Sequence, residues 1–267
     1  MRSSVKLLAD GARKMGIPLT EDQLAMFQAY YDLLVEWNSR VNLTRITDYE
    51  EVQVKHFLDS LSCLWAMGLD ERTHGVQSSP RSAGRAGGSG SHMRQADAPL
   101  RAIDVGSGAG FPGIPLKIAV PALRLVLLEA TGRKAEFLQA VVQRLHLSGV
   151  EVINTRAEEA GQSPVHRERY DLALGRALAE MATLAELTLP LVRVGGTVIA
   201  QKGEDPAAEV EAARKAIAAL GGQVREVIPA AVPGLDAARY LVVLEKVAPT
   251  PAKYPRRPGM PAKRPLA

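Results

Sequence analysis

Two stretches near the start of the chain carry apolar residues at helical spacing. The first, TEDQLAMFQAYYDLLVEWN, opens with Thr20, a good N-cap, and with two acids that suit the positive end of a helix. The apolar residues that recur near the helical period are Leu24, Phe27, Tyr31, Leu34, Val35 and Trp37. This pattern predicts a long helix buried along one face.

The second stretch, DYEEVQVKHFLDSLSCLWAMG, starts at Asp48, which can cap a helix. The residues that its spacing places for burial are Val52, Phe57, Leu61, Leu64 and Trp65. A polar segment, SRVNLTRIT, separates the two stretches. Together they predict an N-terminal helical region over residues 1–70.

From Leu100 onward, short apolar runs alternate with helical patterns. The predicted strands are RAIDV, LRLVLLE, VEVIN, YDLALG, GGTVIAQ, QVREVIP and RYLVVLEK. Such alternation predicts an α/β fold, a mostly parallel sheet with helices on both faces. The last two strands are joined only by AAVPGLDAA, which is too short for a crossover helix, so this pair should be antiparallel. Seven strands with a reversed last pair are typical of the class I S-adenosylmethionine-dependent methyltransferase fold.

Changes in composition divide the chain further. Residues 71–99 have almost no large apolar side chain and are rich in Gly, Ser and Arg, which predicts a flexible insertion or linker. Residues 100–248 form the predicted methyltransferase domain. Residues 249–267 form a basic, proline-rich tail that we expect to be extended.

The overall composition excludes some classes of site. The net charge of +4 over 267 residues permits a polyanionic partner without requiring one. Cys63 is the single cysteine, so the chain has no intramolecular disulfide or cysteine-based zinc site, and we expect Cys63 to be buried. The histidines lack ligand spacing, and no metal site is predicted. No apolar run reaches the length of a membrane span, so we expect a cytoplasmic protein that does not contact membranes.

The stretch DVGSGAGFPGIPLKI follows the first predicted strand, at the edge where open α/β sheets bind ligands. Gly106, Gly108 and Gly110 remove side chains that would block a ligand and allow positive φ. Their spacing departs from the dinucleotide fingerprint, and Pro112 and Pro115 remove amide donors that a pyrophosphate would need. S-adenosyl-L-methionine fits better, although a plain tight turn is the alternative.

Three acids are candidates for contacts with that nucleoside. Asp104 precedes the turn, within reach of the sulfonium or the amino group. Glu129 ends the next strand, where a carboxylate can accept from both ribose hydroxyls, and a surface or capping acid is its alternative. Glu158, after the third strand, could accept from an adenine amino group, although this motif is weaker.

Several motifs occur together in one order: VNLT, VKHFLDSL, DVGSGAGFPGIPLKI, RKAEFL, RAE, GRA, KG, YLVVLEK and YPRRPG. With them the chain closely resembles the glucose-inhibited division protein B family over nearly its whole length, apart from residues 71–99. Members of that family methylate N7 of a guanine in 16S ribosomal RNA. The resemblance therefore implies S-adenosyl-L-methionine as cofactor and 16S ribosomal RNA, or the small ribosomal subunit, as partner of a monomeric enzyme.

The resemblance also implies roles for individual residues. Gly106 and Phe111 would line the cofactor pocket, with Arg176 at its mouth. The ribose would contact Glu129, Ala130 and Thr131, and the adenine would contact Ala157 and Glu158. Two departures from the family pattern concern how the target base is held: Gly175 stands where serine is common, and Gln201 where methionine is more usual.

Guanine N7 carries a lone pair and no proton, so its methylation needs no general base, and none is evident in the chain. Arg176 and Lys202 are candidates for positioning the base or a phosphate, with a plain ion pair and a solvated lysine as their alternatives. The basic residues expected near phosphates are Arg40, Arg45, Lys55, Arg133, Lys134, Lys253, Arg256, Arg257, Lys263 and Arg264. Asn42, Lys55 and His56 match family motifs, either for RNA contact or for domain packing.

Three other functions stay open on the sequence. A methyltransferase of small molecules would have a closed acceptor pocket and little affinity for RNA. A noncatalytic RNA-binding protein would keep the basic surface without binding S-adenosyl-L-methionine. A nicotinamide-dependent dehydrogenase is disfavoured by the glycine spacing and the two prolines.

Overall fold

The computed structural model describes residues 5–67 and 99–266. The helices are α1 (Lys6–Lys14), α2 (Glu21–Val41), α3 (Tyr49–Val52), α4 (Asp59–Leu61), α5 (Gly113–Ala119), α6 (Gly132–Arg144), α7 (Ala157–Gln162), α8 (Met181–Thr188), α9 (Ala207–Ala219) and α10 (Met260–Lys263). The strands are β1 (Arg101–Val105), β2 (Arg124–Leu128), β3 (Val150–Ile153), β4 (Tyr170–Arg176), β5 (Val192–Lys202), β6 (Gly222–Pro229) and β7 (Tyr240–Lys246). The insertion predicted for residues 71–99 lies, apart from Pro99, outside the described residues.

The strands form a seven-stranded sheet in the order β3-β2-β1-β4-β5-β7-β6. β1 to β5 pair in parallel, whereas β7 runs antiparallel to both β5 and β6. The predicted class I methyltransferase sheet with its reversed last pair is therefore confirmed. β5 begins at Val192, three residues before the predicted strand, because Val192 pairs with Tyr170 of β4.

Side chains that alternate along each strand fill two cores. In β1, Ala102 faces the core that also contains the N-terminal helices and α5, whereas Ile103 and Val105 face the core beneath α8 and α9. The aromatic rings of Phe27, Tyr30, Phe57 and Phe111 cluster in the first core. The N-terminal helices and the glycine turn are thus packed in one hydrophobic core.

The predicted start of α2 is confirmed in detail. Thr20 and Gln23 form a reciprocal capping box, with Glu21 and Asp22 in the first turn. The Gln23 side chain also donates a 2.8 Å hydrogen bond to the carbonyl of Ile118, at the end of α5. The same cap therefore starts the helix and ties it to the element that leaves the glycine turn.

The apolar positions predicted for α2 are buried to different degrees. Tyr30 is fully buried, whereas Tyr31 and Trp37 are only half-buried and Val35 is exposed. The reason is that the Tyr30 hydroxyl donates a hydrogen bond to the Ala109 carbonyl in the glycine turn, which fixes the rotation of the helix about its axis. Periodicity alone could not choose between the two neighbouring tyrosines.

The second predicted helix is not regular. Asp48 caps α3 through the Glu51 backbone N–H, as expected. The chain then continues as a π-helix over Gln53–Leu58, as α4, and as a 3-10 helix over Ser62–Trp65. Residues 56–63 are buried without interruption, because this segment lies between the other N-terminal helices and the sheet. Leu64 and Trp65, predicted to be buried, are half-buried and exposed, while Cys63 is buried as predicted.

The C-terminal tail is not extended as expected. It folds back over α7 and α8 and ends in the short helix α10. The Gly259 backbone N–H donates to the Glu158 carboxylate at 2.8 Å, and the Arg256 guanidinium pairs with the buried Glu186 at 2.6 Å. Specific polar contacts therefore override the extended preference of a proline-rich segment. Within the described ranges, no helix is long and apolar enough to cross a membrane.

We predict that Tyr30→Phe lowers the free energy of unfolding by about 1–3 kcal/mol, because it leaves the buried Ala109 carbonyl without its donor. Urea denaturation measures the change. Tyr31→Phe is the matched control: its hydroxyl donates to the Thr47 carbonyl at 3.0 Å in an exposed position, so a loss below about 1 kcal/mol is expected. Equal losses in the two variants would contradict this role for Tyr30.

Candidate functional site

The glycine turn lies at the carboxyl end of β1, beside the carboxyl ends of β2 and β4. Gly106 and Gly108 have φ of +69° and +57°, a region that favours glycine. The backbone N–H groups of Gly106 and Ser107 both donate to the Leu128 carbonyl, at 2.8 and 3.1 Å. The turn is thereby pinned to the end of β2, and Gly106 is exposed at the rim of the resulting crevice.

Gly110 serves packing rather than ligand access, which corrects the prediction from the sequence. Its φ is +93°, and an added Cβ would lie 2.7 Å from the Tyr30 hydroxyl oxygen and closer still to the Ile114 side chain. Gly110 is itself buried. The absence of a side chain here lets α2 and α5 approach the turn.

The amino end of α5 offers no set of free amides to an anion. The Gly113 N–H donates to Asp104 Oδ2 at 2.9 Å, and the Ile114 N–H to the Gly110 carbonyl at 2.8 Å. Pro115 has no N–H, and the Leu116 N–H donates to the Pro112 carbonyl. A dinucleotide pyrophosphate therefore lacks the donors that it needs at this helix.

Glu129 bridges the two loops that flank the crevice. Its Oε2 accepts from the Gly108 N–H at 2.9 Å, and its Oε1 accepts from the Thr131 N–H at 2.7 Å. Asn154 holds the Glu129 backbone by donating to its carbonyl at 2.8 Å. An ionised carboxylate has about four lone-pair sites, so each oxygen of Glu129 can also accept from a sugar hydroxyl. Both the structural and the ligand-binding interpretation of this acid are therefore compatible with the geometry.

Asp104 does not reach the crevice, contrary to the expectation from its position before the turn. It is fully buried, and it lies under the turn, where its Oδ2 binds the Gly113 N–H. Its Oδ1 has no hydrogen-bond partner among the described residues. Burial is the main cause that raises the pKa of Asp104 to about 7, against the lowering effect of the Gly113 hydrogen bond and of Arg176.

Glu158 also differs from its expected position. It is buried, and its Oε1 accepts from the tail at Gly259 N. Ala157, at the start of α7, is half-buried. The Glu158 carboxylate therefore helps to hold the tail, a contact between distant parts of the chain that no local pattern indicates.

The remaining predicted cofactor residues divide by exposure. Gly106, Ala130 and Thr131 are exposed, whereas Gly108 and Ala157 are half-buried. These five positions follow the carboxyl ends of β1, β2 and β3, which are neighbours in the sheet. Their common place at this end of the sheet is compatible with the predicted cofactor contacts, which stay a prediction.

Arg176, at the end of β4, connects the sheet to the N-terminal helices. Its Nη2 lies 2.7 Å from the Lys55 carbonyl oxygen and 3.1 Å from Asp59 Oδ2. Its guanidinium carbon is 5.7 Å from the centroid of the Phe111 ring. The resemblance implies that Arg176 lies at the pocket mouth, and this stays a prediction; the structure shows that the segment from Lys55 to Asp59 holds its guanidinium.

His56 is a packing residue next to this cation. Its ring stacks on Phe111 with centroids 4.5 Å apart, and Arg176 Nη2 lies 3.2 Å from its Nδ1. Nδ1 also lies 3.1 Å from the Lys55 carbonyl oxygen, and Nε2 lies 2.8 Å from Thr44 Oγ1. Burial, with Arg176 second, lowers the pKa of His56 to about 3, so the ring is neutral at physiological pH. Of the two interpretations of His56, domain packing is the one that its contacts favour.

Asp59 is a site residue that sequence reasoning missed. It is buried between two guanidiniums, with Oδ1 3.2 Å from Arg239 Nε and Oδ2 3.1 Å from Arg176 Nη2. Burial raises the pKa of Asp59, and the two arginines oppose this shift. The motif VKHFLDSL contains this residue, but nothing in the local pattern indicates that β4 and the loop before β7 supply its partners.

A cavity of about 280 Å³ opens beside these residues. Its polar lining residues are Asp59, Arg176, Gln201, Lys202 and Arg239. Lys202 Nζ donates to the Ala179 carbonyl at 3.0 Å and pairs with Glu209 at 2.6 Å. The two residues proposed to position the target, Arg176 and Lys202, thus line one cavity.

A larger cavity of about 600 Å³ lies at the other end of the strands. The residues that line it include Arg101, Lys117 and Arg124. These residues stand at or below the amino ends of β1 and β2. Open α/β sheets bind ligands at the carboxyl ends of their strands. The smaller cavity lies at the carboxyl ends of β4 and β5, so it is the relevant one.

The basic residues expected near phosphates differ in availability. The exposed ones are Arg40, Arg45, Arg133, Lys253, Arg257, Lys263 and Arg264, while Lys55 and Lys134 are half-buried. Arg256 is a correction, because its guanidinium neutralises Glu186, which is fully buried. Asn42 ends α2 in a left-handed conformation, which gives it a local structural role.

Comparison with known proteins gives a consistent result. A family model for GidB, rRNA small subunit methyltransferase G, matches residues 23–73 and 89–234. The ribosomal RNA small subunit methyltransferase G of Dehalococcoides mccartyi is 48% identical over 97% of this chain and 98% of its own length. That of Roseiflexus sp. is 47% identical over 97% of this chain and 99% of its own length. Among solved structures, a "predicted O-methyltransferase" from Agrobacterium tumefaciens superposes with a TM-score of 0.46 at 21% identity, covering 58% of this chain and 77% of that chain.

We predict that the effect of Asp104→Asn on the free energy of unfolding becomes more favourable as pH rises. The raised pKa of Asp104 means that the folded state binds a proton more tightly than the unfolded state, whose carboxyl titrates near pH 4. The stability gained from that proton is complete below about pH 4 and is lost as pH rises to about 7.

Asparagine retains an oxygen for the Gly113 N–H and does not ionise. The free energy of unfolding of the variant minus that of the original chain should therefore increase between about pH 4 and pH 8, by at most about 4 kcal/mol. Urea denaturation across this pH range measures the difference. A difference that is independent of pH would show that Asp104 is ionised at little cost.

Proposed function

The chain belongs to the GidB family of small-subunit ribosomal RNA methyltransferases, and from this premise we propose that it methylates N7 of a guanine in 16S ribosomal RNA, with S-adenosyl-L-methionine as donor. The observation that carries the proposal is the crevice between the glycine turn and the loop after β2, bridged by Glu129. Because the substrate belongs to the ribosome, we expect the enzyme to act in the cytoplasm.

The residues at the crevice fit the cofactor. An added Cβ at Gly108 would find no atom closer than 3.8 Å, so its missing side chain leaves room for a ligand. The free lone pairs of Glu129 suit the ribose hydroxyls, with Ala130 and Thr131 beside them. Ala157 and Glu158 stay the residues proposed for the adenine, because the bond from the Gly259 N–H uses only Oε1 of Glu158. When bound, S-adenosyl-L-methionine supplies an electrophilic methyl group on a cationic sulfonium.

The contribution of the chain to catalysis is orientation. Guanine N7 attacks through an in-plane lone pair, so no side chain has to remove a proton. Phe111 is held between the His56 ring and the Arg176 guanidinium, which fixes one wall next to the glycine turn. Holding reacting groups in line can lower a barrier by roughly 7–11 kcal/mol in favourable systems.

The charges at the site suit the charge movement of the reaction. Positive charge passes from the sulfonium to the purine ring, so unpaired cations beside the base would raise the barrier. Arg176 and Arg239 share Asp59, and Lys202 is paired with Glu209. These pairs let the cations act as hydrogen-bond donors with much of their charge compensated.

Exposed cations are available for the RNA backbone. Arg40 and Arg45 lie at and after the end of α2, Arg133 lies at the start of α6, and Arg257 and Lys263 lie in the tail. Contacts of this kind position an RNA without reading its sequence, and they weaken as salt rises. We assign the recognition of 16S ribosomal RNA to these residues together with the cavity next to Arg176.

Methyl transfer from labelled S-adenosyl-L-methionine tests the proposal. The acceptors are deproteinised 16S ribosomal RNA, isolated small subunits and intact ribosomes, and the modified base is mapped by reduction and aniline cleavage at 7-methylguanosine. We expect label at N7 of one guanine. Label at another base, or on small metabolites alone, would refute the assigned substrate, and binding of RNA without any transfer would indicate a noncatalytic RNA-binding protein.

We predict that Gly106→Asp weakens the binding of S-adenosyl-L-methionine and of S-adenosyl-L-homocysteine by at least about a hundredfold, because the new side chain fills the crevice at a position of positive φ and its Cβ meets Leu178 at 2.7 Å. Testing both ligands separates steric exclusion from attraction between the aspartate and the sulfonium. Calorimetric titration measures both affinities.

Gly16→Asp is the matched control for backbone strain. Gly16 has a φ of +76°, close to the +69° of Gly106, but no atom lies within 4 Å of its added Cβ, and it belongs to the turn after α1. The Gly16→Asp variant should bind S-adenosyl-L-methionine and S-adenosyl-L-homocysteine as tightly as the original chain does. Unchanged affinity in Gly106→Asp would show that the crevice is not the cofactor site.

A further inference from the structure

The larger cavity, of about 600 Å³, lies apart from the site proposed for methyl transfer. Arg101 and Arg124 line it and are the first residues of β1 and β2, whereas the glycine turn follows the last residue of β1. A strand of five residues spans about 17 Å. Pockets for small molecules and cofactors have volumes of about 300–1,000 Å³, so this cavity has room for such a ligand.

Two exposed arginines stand side by side in this cavity. Arg101 and Arg124 are register partners in the parallel pair of β1 and β2, so their Cα atoms are about 5 Å apart. The Arg101 guanidinium carbon lies 5.7 Å from the centroid of the Tyr170 ring. A Cβ added at Gly149 would lie 4.0 Å from Arg124 Cγ. Tyr170 and Gly149 belong to the lining, so both arginine side chains run beside the cavity wall.

The positive charge of this cavity is not compensated. Neither arginine has a carboxylate partner among the described residues. The buried Lys117 of the same lining donates to the carbonyls of Pro121 and Leu123, at 2.6 and 2.7 Å. Burial lowers the pKa of Lys117, a shift that a bound anion would oppose. The described lining has three cations and one carboxylate, Glu151, which leaves a formal charge of +2.

We propose that this cavity is a second ligand site, in which Arg101 and Arg124 bind the phosphate group of a nucleotide. Each guanidinium is a planar fork of N–H donors, and phosphate oxygens accept from such forks in pairs. A phosphate between the two side chains also removes the repulsion between them. The cavity is larger than a phosphate ion requires, which favours a phosphate carried by a larger molecule. That molecule is a free nucleotide or the backbone of an RNA.

Amide NMR spectra of the full chain test this site directly, because Gly149 belongs to the lining and lies beside Arg124. The chain is titrated with inorganic phosphate and, separately, with chloride at the same ionic strength. We expect a saturable shift of the Gly149 signal, with a dissociation constant for phosphate at least about fivefold below that for chloride. Equal constants would show a diffuse counterion effect and overturn the proposal, as would the lack of a saturable shift up to about 50 mM phosphate.

Substitutions in the lining should change this affinity in both directions. Arg101→Gln and Arg124→Gln each remove one guanidinium, and each should weaken the binding of inorganic phosphate about tenfold. Glu151→Gln removes the carboxylate of the lining and should tighten the binding about twofold. A gain in affinity cannot come from a loss of folding.

Arg214→Gln is the matched control. Arg214 is exposed in α9, where it pairs with Glu211, and it lies outside the cavity lining. The Arg214→Gln variant should bind inorganic phosphate as tightly as the original chain does. If Arg124→Gln binds phosphate as tightly as this control, the proposal is wrong.

Adenosine 5′-monophosphate and a short single-stranded RNA distinguish the two sources of the phosphate. If the ligand is a free nucleotide, Arg124→Gln weakens the binding of adenosine monophosphate, followed at the Gly149 signal, about tenfold and leaves RNA binding unchanged. If the ligand is RNA, Arg124→Gln weakens RNA binding, and the slope of log affinity against log salt falls by about one. Either result supports the site. Phosphate binding with no effect of Arg124→Gln on either probe would indicate an adventitious ion only and overturn the assignment.

This site and the proposed function can fail separately. None of these titrations uses S-adenosyl-L-methionine or methyl transfer. A chain that methylates RNA but shows no phosphate site beside Gly149 overturns this proposal alone. A chain that binds phosphate there but transfers no methyl group overturns the proposed function alone.

Discussion

The position of the glycine turn depends on hydrogen bonds between its backbone and side chains from three other parts of the fold. Glu129 accepts from Gly108 above the turn, Asp104 accepts from Gly113 below it, and Tyr30 donates to the Ala109 carbonyl from the side of α2. A turn with three glycines in five residues has few apolar contacts of its own. Its shape is therefore set by these polar contacts, and the crevice beside it is preformed.

One of these three side chains, Asp104, is an acid in a buried environment that disfavours its charged form. Asp104 is fully buried, and this burial raises its pKa to about 7. One of its oxygens also has no hydrogen-bond partner among the described residues. The bond from the Gly113 N–H to Asp104 fixes the amino end of α5, and burying this acid lowers the stability of the fold. Sites that bind ligands commonly retain such local strain or poor solvation, because the geometry matters more there than the last increment of stability.

The N-terminal helices are part of the site and share a core with the sheet. The π-helix from Gln53 to Leu58 directs the Lys55 carbonyl and His56 towards Arg176, and Asp59 follows immediately. Departures from α-helical pitch are frequent at functional sites. The cavity of about 280 Å³ is lined by Asp59 from this segment, by residues of β4 and β5, and by Arg239 before β7. Without the segment, the cavity would lack one of its walls.

The sequence by itself determined the elements and their order. Strands with alternating or continuous apolar residues, the cap at Thr20 and the short link before β7 depend on interactions within a few residues, and these are legible in the chain. The glycine spacing and Glu129 were likewise found, because a turn without side chains and a following acid are local signals. Only the tertiary structure decided that Asp104 is buried under the turn, that Glu158 bonds to the tail, and that Asp59 and Gln201 line the cavity. Those positions depend on partners distant in sequence, and a sequence pattern carries no information on which buried polar groups will meet.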